Sequence, residues 1–172
     1  MPTDTGAEPG NSDQRAQVGQ FVPDDFEVPL RLTTPEFVLE PLGPQHNDED
    51  HRAWTSSIEH IRSTPGFEPG AETADPWPYP MSADDNLADL HMHADHFSRR
   101  VGFTYTVLSA SSGEVVGCLY IYPDRDDPDV DAQVRSWVRS DHAELDKVLW
   151  SEVSRWLADS WPFANVHYAS RS

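Results

Sequence analysis

AQVRSWVRSDHAELDKVLWSEVSRWLADSWPFANVHYAS, residues 132–170, is the stretch on which the fold turns. In AQVRSWVR (132–139), Val134, Ser136 and Val138 fall on one side and Arg135, Trp137 and Arg139 on the other, the two-residue period of a strand. Asp141, with Glu144 three residues on, predicts a helix start. Leu145, Val148, Leu149, Val153, Trp156 and Leu157 then recur at three- and four-residue steps until Trp161-Pro162 closes the helix. NVHYAS (165–170) reads as another strand. A strand, a long helix and a strand require a crossover, and a crossover sets the two strands parallel.

Working back from there, FTYTVL (103–108) and EVVGCLYIY (114–122) precede that strand, separated by the turns SASSG (109–113) and PDRDDPDVD (123–131). Short turns make an antiparallel meander, and the almost continuous apolar run at 114–122 belongs mid-sheet, covered on both faces. EFVLEPL (36–42) predicts a first strand ended by Pro41 and Gly43. Trp54, Ile58 and Ile61 predict a helix over 47–63 ended by Pro65-Gly66, and Ser82-Ala83-Asp84-Asp85 is an N-cap signature. The helix it opens carries Leu87, Leu90, Ala94, Phe97 and Val101 and is expected to end at Gly102. The order is β-α-α-β-β-β-α-β: a mixed α/β domain over 21–172, built on one sheet with helices on both faces. Residues 21–35, broken by Pro23, Pro29 and Pro35, suit an extended edge segment. The Pro-rich stretch 64–81 is either a binding loop or a plain insertion. Residues 1–20 carry too little apolar surface to offset their ordering entropy and read as a disordered tail.

Composition narrows the functions. The 172 residues carry a formal charge of −18, with Lys147 the sole lysine, so a phosphate backbone is repelled and no nucleic-acid partner is expected. Apolar residues are 37% of the chain, and the longest apolar stretch falls far short of the ~20 residues that span a bilayer, so no membrane partner is expected either. A single cysteine, Cys118, excludes an intrachain disulfide framework and suits a reducing cytoplasm, as does an N-terminus without a basic-then-apolar leader.

The element order, together with SSIEHIRSTPGF (56–67), PMSADDNLADLHMHADHF (80–97), GFTYTVL, EVVGCLYIYP and VRSWVR, resembles the GNAT superfamily of acyl-CoA-dependent N-acyltransferases over residues 36–170. The resemblance implies a GNAT-like central mixed sheet that lacks the usual C-terminal helix and strands, with acetyl-CoA as co-substrate and a small-molecule amine as acceptor. In that superfamily the strand before the long helix splays from its neighbour and takes the pantetheine arm on its backbone. A glycine-rich turn at the helix N-terminus then cradles the pyrophosphate. Laid on this chain, the resemblance points to Ser136, Trp137 and Val138 for the splayed strand, with Arg139, His142 and Lys147 as cations beside the turn. SDHAELDK (140–147), however, has no glycine and sets Asp141, Glu144 and Asp146 where the pyrophosphate belongs. Each carboxylate ~4 Å from a phosphate charge is unfavourable by ~1 kcal/mol in water. No catalytic acid or base is assigned by motif. Two readings stay open: an N-acetyltransferase whose acidic surface favours a cationic acceptor, and a catalytically silent GNAT-like binding or regulatory module. The sheet edge left by the absent strands is expected to be covered by residues 21–32 or by a second copy of the chain in a homodimer.

Other constellations carry less. Asp89, His93 and His96 fall at i, i+4 and i+7, and three ligands could converge on a metal, but the same spacing describes a solvated helix face, the reading adopted. Asp127-x-Asp129-x-Asp131 lacks the glycine and the closing acid of a calcium loop and reads as a charged turn. Cys118 in the apolar strand reads as a buried thiol. Trp137 between Arg135 and Arg139 reads as a helix-covered ring whose arginines pair with aspartates.

Overall fold

The computed structural model describes residues 20–69 and 77–171. All but the last residue of the expected tail, and residues 70–76 of the Pro-rich loop, lie outside that description. Among the described residues one sheet runs in chain order: β1 (Leu32–Thr33), β2 (Phe37–Pro41), β3 (Phe103–Ser109), β4 (Val115–Tyr122), β5 (Ala132–Val138) and β6 (Val166–Tyr168). All neighbours pair antiparallel except β5 and β6, which are parallel as the crossover requires. The helices are α1 (Asn47–Thr55), α2 (Ile58–Arg62), α3 (Ala83–Ser98) and α4 (Leu145–Ser160). None of them is long and apolar enough to cross a membrane.

The alternation of β3, β4 and β5 distributes two cores. Phe103, Tyr105, Leu119, Ile121, Val134 and Val138 meet Leu149, Val153 and Trp156 of α4 on one face. Cys118 and Trp137 meet Ala53, Trp54, Ile61 and Leu90 from α1 to α3 on the other. Gly117 lets β4 and β5 close up, since a Cβ there would lie 2.3 Å from the Trp137 carbonyl oxygen.

Several boundaries depart from expectation, each for a local reason. The helix predicted over 47–63 breaks between α1 and α2. Thr55 and Ser56 hydroxyls donate to the carbonyls of His51 (2.6 Å) and Ala53 (3.0 Å), and such bonds compete with the helical ladder. Ser82 caps α3 by accepting from the Asp85 N–H at 3.1 Å, as its signature foretells. That helix stops at Arg100, not at Gly102: Arg100 takes the left-handed turn at φ 62°, and the Val101 N–H closes on His96 O at 3.0 Å. Gly102 serves a different need, because a Cβ there would lie 2.1 Å from the Tyr122 ring. Asp141 does not start α4. Residues Ser140–His142 form a 3-10 turn, and the helix begins only at Leu145.

Residues 21–32 do not cover the strand after α4. Phe21 stacks between Phe103 and Phe163, at 5.7 and 5.1 Å, and Phe26 meets Trp161 at 5.3 Å. β1 then pairs with β2 at the opposite edge, so the 21–35 segment is an edge element, but of the other edge. β6 pairs only with β5 among the described residues, and Val166 is exposed. Trp161 is the hub of the aromatic cluster, touching Phe26, Phe103, Trp156 and Phe163, while its indole N–H is buried without a partner. Trp161→Ala should therefore cost ~3–5 kcal/mol in denaturant unfolding. Trp161→Phe keeps the ring packing, removes the unmet donor, and should cost under ~1.5 kcal/mol.

Candidate functional site

Two regions hold the residues that the sequence singles out: the end of β5 beside β6, and a cavity between α3 and the sheet.

β5 and β6 pair at Ala132, Val134 and the residue between, and no further. β6 ends at Tyr168, the partner of Val134, so the rest of β5 has no ladder partner on that side among the described residues. Arg139 N–H bonds to Val116 of β4 at 2.8 Å, so by alternation the main-chain groups of Ser136 and Val138 turn toward the gap. The gap is filled from within the chain. Arg171, whose side chain is 3% exposed, donates from Nη2 to the Ser136 carbonyl at 2.9 Å and from Nε to Asp146 Oδ2 at 2.7 Å. Tyr168 Oη meets Ser136 Oγ at 2.5 Å beside it, and burial raises the Tyr168 pKa, keeping that phenol protonated. Trp137 is wholly buried, with Nε1 donating to Tyr120 Oη at 3.0 Å.

At the turn before α4, Ser140 N–H is spent on Ser57 Oγ at 2.9 Å. Asp141 binds both side chains that flank it: Arg139 in a two-pronged contact of 2.9 and 2.8 Å, and His142 Nδ1 at 3.0 Å. The Arg139 bond first, then that of His142, holds the Asp141 carboxyl well below the usual carboxylate range. Lys147 is exposed and forms no hydrogen bond or ion pair with the described residues. Ser136, Trp137, Val138, Arg139 and His142 thus lie along one path, on which Ser136 is engaged by Arg171 and Tyr168, Trp137 by Tyr120, and Arg139 and His142 by Asp141.

The cavity lies between α1, α3 and the sheet and measures about 290 Å³, near the lower end of the ~300–1,000 Å³ typical of small-molecule sites. The helix face expected to be solvated points into it. His93 and His96 both reach Tyr122 Oη through Nδ1, at 3.0 and 2.9 Å, and Thr104 Oγ1 lies 3.0 Å from His93 Nδ1. Asp89 does not join them, and no group of metal-ligand type is present among the described residues. Burial, then the nearby His96 and Arg135, lowers His93 from 6.5 to about 4, so it is neutral at physiological pH.

At the other end, Asp50 is only 4% exposed. Its Oδ2 accepts from Asn86 Nδ2 at 3.1 Å, the one side-chain hydrogen bond of Asp50 among the described residues, and the carboxylate lines the cavity. The Asn86 amide is fully committed, accepting from Trp54 Nε1 at 3.0 Å and donating to Asn47 at 2.9 Å. Burial raises Asp50 from 3.8 to about 6 despite that bond. Phe67, Trp77 and Tyr120 supply aromatic walls, and the loop bearing Trp77 is tied down by Arg62 Nε to Pro78 O and His51 Nε2 to Met81 O, at 3.1 and 2.7 Å. Arg135 at the rim stacks on Phe67 at 5.0 Å, and no carboxylate among the described residues lies within 4 Å of it, unlike Arg139. Cys118 is a buried thiol with its pKa raised by desolvation, as expected of an inert cysteine. The acidic turn is likewise structural: Asp124 and Asp127 carboxylates accept from backbone N–H groups at 126, 127 and 129.

Solved structures share this arrangement. The chain matches the ribosomal-protein-S5-alanine acetyltransferase from Vibrio fischeri at TM-score 0.57 and 8% identity, over 75% of this chain and 67% of that one. It matches the microcin C7 self-immunity acetyltransferase MccE, solved with acetyl-CoA and AMP, at 0.55 and 10%, over 73% of this chain and 63% of that one. It also matches RimL, a ribosomal L7/L12 α-N-protein acetyltransferase solved with coenzyme A, at 0.54 and 12%, over 75% and 66%. No protein-family model matches the chain, and no curated protein matches it in sequence. The fold is that of the GNAT acetyltransferases.

The two buried ionisable groups of the cavity make opposite demands on pH. Asp50, raised from 3.8 to about 6, contributes stability that is present at low pH and lost as pH rises through about 6. His93, lowered from 6.5 to about 4, contributes stability that is full above 6.5 and lost as pH falls to about 4. Over that shared window the two offset each other. Asp50→Asn should leave the His93 dependence alone, so its melting temperature climbs with pH more steeply than wild type. At neutral pH the variant should be the more stable protein, by up to ~3 kcal/mol. A pH series of thermal melts checks both the slope and the sign.

Proposed function

We propose that this chain uses the GNAT fold as a binding module for a small organic amine, held in the cavity between α3 and the sheet. The observation that carries this reading is Asp50, a buried carboxylate that lines the cavity and whose one side-chain hydrogen bond among the described residues is to Asn86, in a chamber walled by Phe67, Trp77 and Tyr120. An ammonium group pairs with that carboxylate and meets aromatic faces, a combination that suits a cation. The overall charge of −18 draws cations toward the protein.

The residues of the β5–β6 gap do not fit acetyl-CoA. The Ser136 carbonyl, a backbone acceptor turned toward the gap, is bonded to Arg171, whose guanidinium fills the space between the strands and is anchored on Asp146. A pyrophosphate at the turn would meet an N–H already bonded to Ser57, the Arg139 and His142 side chains already bonded to Asp141, and the charge of Asp141 itself. An N-acetyltransferase acting on the amine is the second reading. It is favoured by the register, which ends β5–β6 pairing at Val134 and leaves the rest of β5 without a ladder partner on that side among the described residues, and by the acetyltransferases that share the fold.

Calorimetric titration separates the readings. Butylamine at neutral pH should bind wild-type protein saturably, bind at least tenfold more weakly to Asp50→Asn, and lose affinity below about pH 6 as Asp50 takes a proton. Equal binding by Asp50→Asn would sink the amine site. Acetyl-CoA should give no saturable heat with wild-type protein; tight binding there would put the transferase reading first.

A further inference from the structure

The cavity is polarised. Asp50 stands at one end, bonded to Asn86 on α3. Arg135 stands at the other, its guanidinium 5.8 Å from the Tyr120 ring, whose centre is also 5.8 Å from that of His93. Asn86 and His93 are seven positions apart on α3, so the helix wall that lines the cavity between them runs roughly 10 Å. Leu42, Leu90, Phe67 and Trp77 supply apolar surface to the cavity. The guanidinium is exposed, sits over the Phe67 ring at 5.0 Å from its centre, and has no carboxylate within 4 Å among the described residues.

We infer that the ligand of this cavity is an ω-amino acid: its ammonium meets Asp50, its carboxylate meets Arg135, and a chain of several carbons lies against Leu90, Phe67 and Trp77. This rests on the amine reading above and adds the second charged group and the spacing. An α-amino acid carries both charges on one carbon and cannot reach both ends. A plain alkylamine leaves Arg135 without a partner. A dianion is disfavoured, since one guanidinium shares the cavity with Asp50 and Asp89, and a monoanionic carboxylate matches it one to one.

The test compares 6-aminohexanoate, hexylamine and glycine by titration into wild-type protein, Arg135→Gln and Asp50→Asn. In wild-type protein 6-aminohexanoate should bind at least tenfold more tightly than hexylamine, and glycine should not bind measurably. Arg135→Gln should remove the preference for 6-aminohexanoate while leaving hexylamine affinity within twofold, because hexylamine has no carboxylate for Arg135 to meet and Arg135 is exposed and carries no ion pair among the described residues. Asp50→Asn should weaken both. If hexylamine binds and 6-aminohexanoate binds no better, or if Arg135→Gln weakens both alike, the second contact is wrong and the amine site stands. If neither compound binds wild-type protein, the amine site itself is overturned, and this inference with it.

Discussion

The buried guanidinium of Arg171 ties three separate parts of the chain together. It joins β5 through the Ser136 carbonyl, α4 through Asp146, and its own strand segment through Ala169 O at 2.7 Å. β6 is only three residues long and pairs along a short stretch, so its ladder alone could not hold the end of the sheet. A charge this deep is tolerated because it is met by a carboxylate and two carbonyl oxygens; without Asp146 it would be an unpaired ion in a low-dielectric setting. The position of β6, the path of α4 and the closing of the gap therefore follow from one side chain.

With that gap closed, the cavity between α3 and the sheet becomes the accessible chemistry of the molecule. The sheet divides labour between its faces. The α4 face is apolar and aromatic, packed around Tyr105, Trp156 and Trp161, whereas the α1–α3 face mixes buried Trp54 and Trp137 with Asp50, Asn86, Thr104 and the two histidines. Burial on this second face is what moves Asp50 up and His93 down from their ordinary titration ranges, in the first case against the pull of the Asn86 hydrogen bond. The chain shares its fold with solved acetyltransferases at 8–10% identity, and a shared fold does not by itself carry an activity.

Much of the fold was legible because it depends on periodicity. The alternation at 132–139, the apolar run at 114–122 and the stripe of α4 gave the meander and the crossover, and the Ser82 cap gave the start of α3. What misled were residues whose role is set by distant partners. Asp141 resembles an N-cap until Arg139 is seen to hold it, and Gly102 resembles a helix stop until the Tyr122 ring is placed beside it. The cavity was largely invisible in the sequence. Its members come from α1, α3, β4, β5 and the loop after α2, and His93 and His96 share a spacing with any solvated face. The one local signal available was Tyr122, an aromatic at the end of an apolar strand. Arg171, the second-last residue, carried no pattern at all.

The phenol of Tyr122 sits between two imidazoles, yet it owns a single proton. It can donate to the Nδ1 of one ring at most, so for both contacts to be hydrogen bonds at least one ring must keep its hydrogen on Nδ1 and give it to the phenol oxygen. A neutral ring in that tautomer has a bare Nε2. While both rings are neutral and both contacts are made, the pair therefore cannot present two donating Nε2 groups: at least one of them is an acceptor.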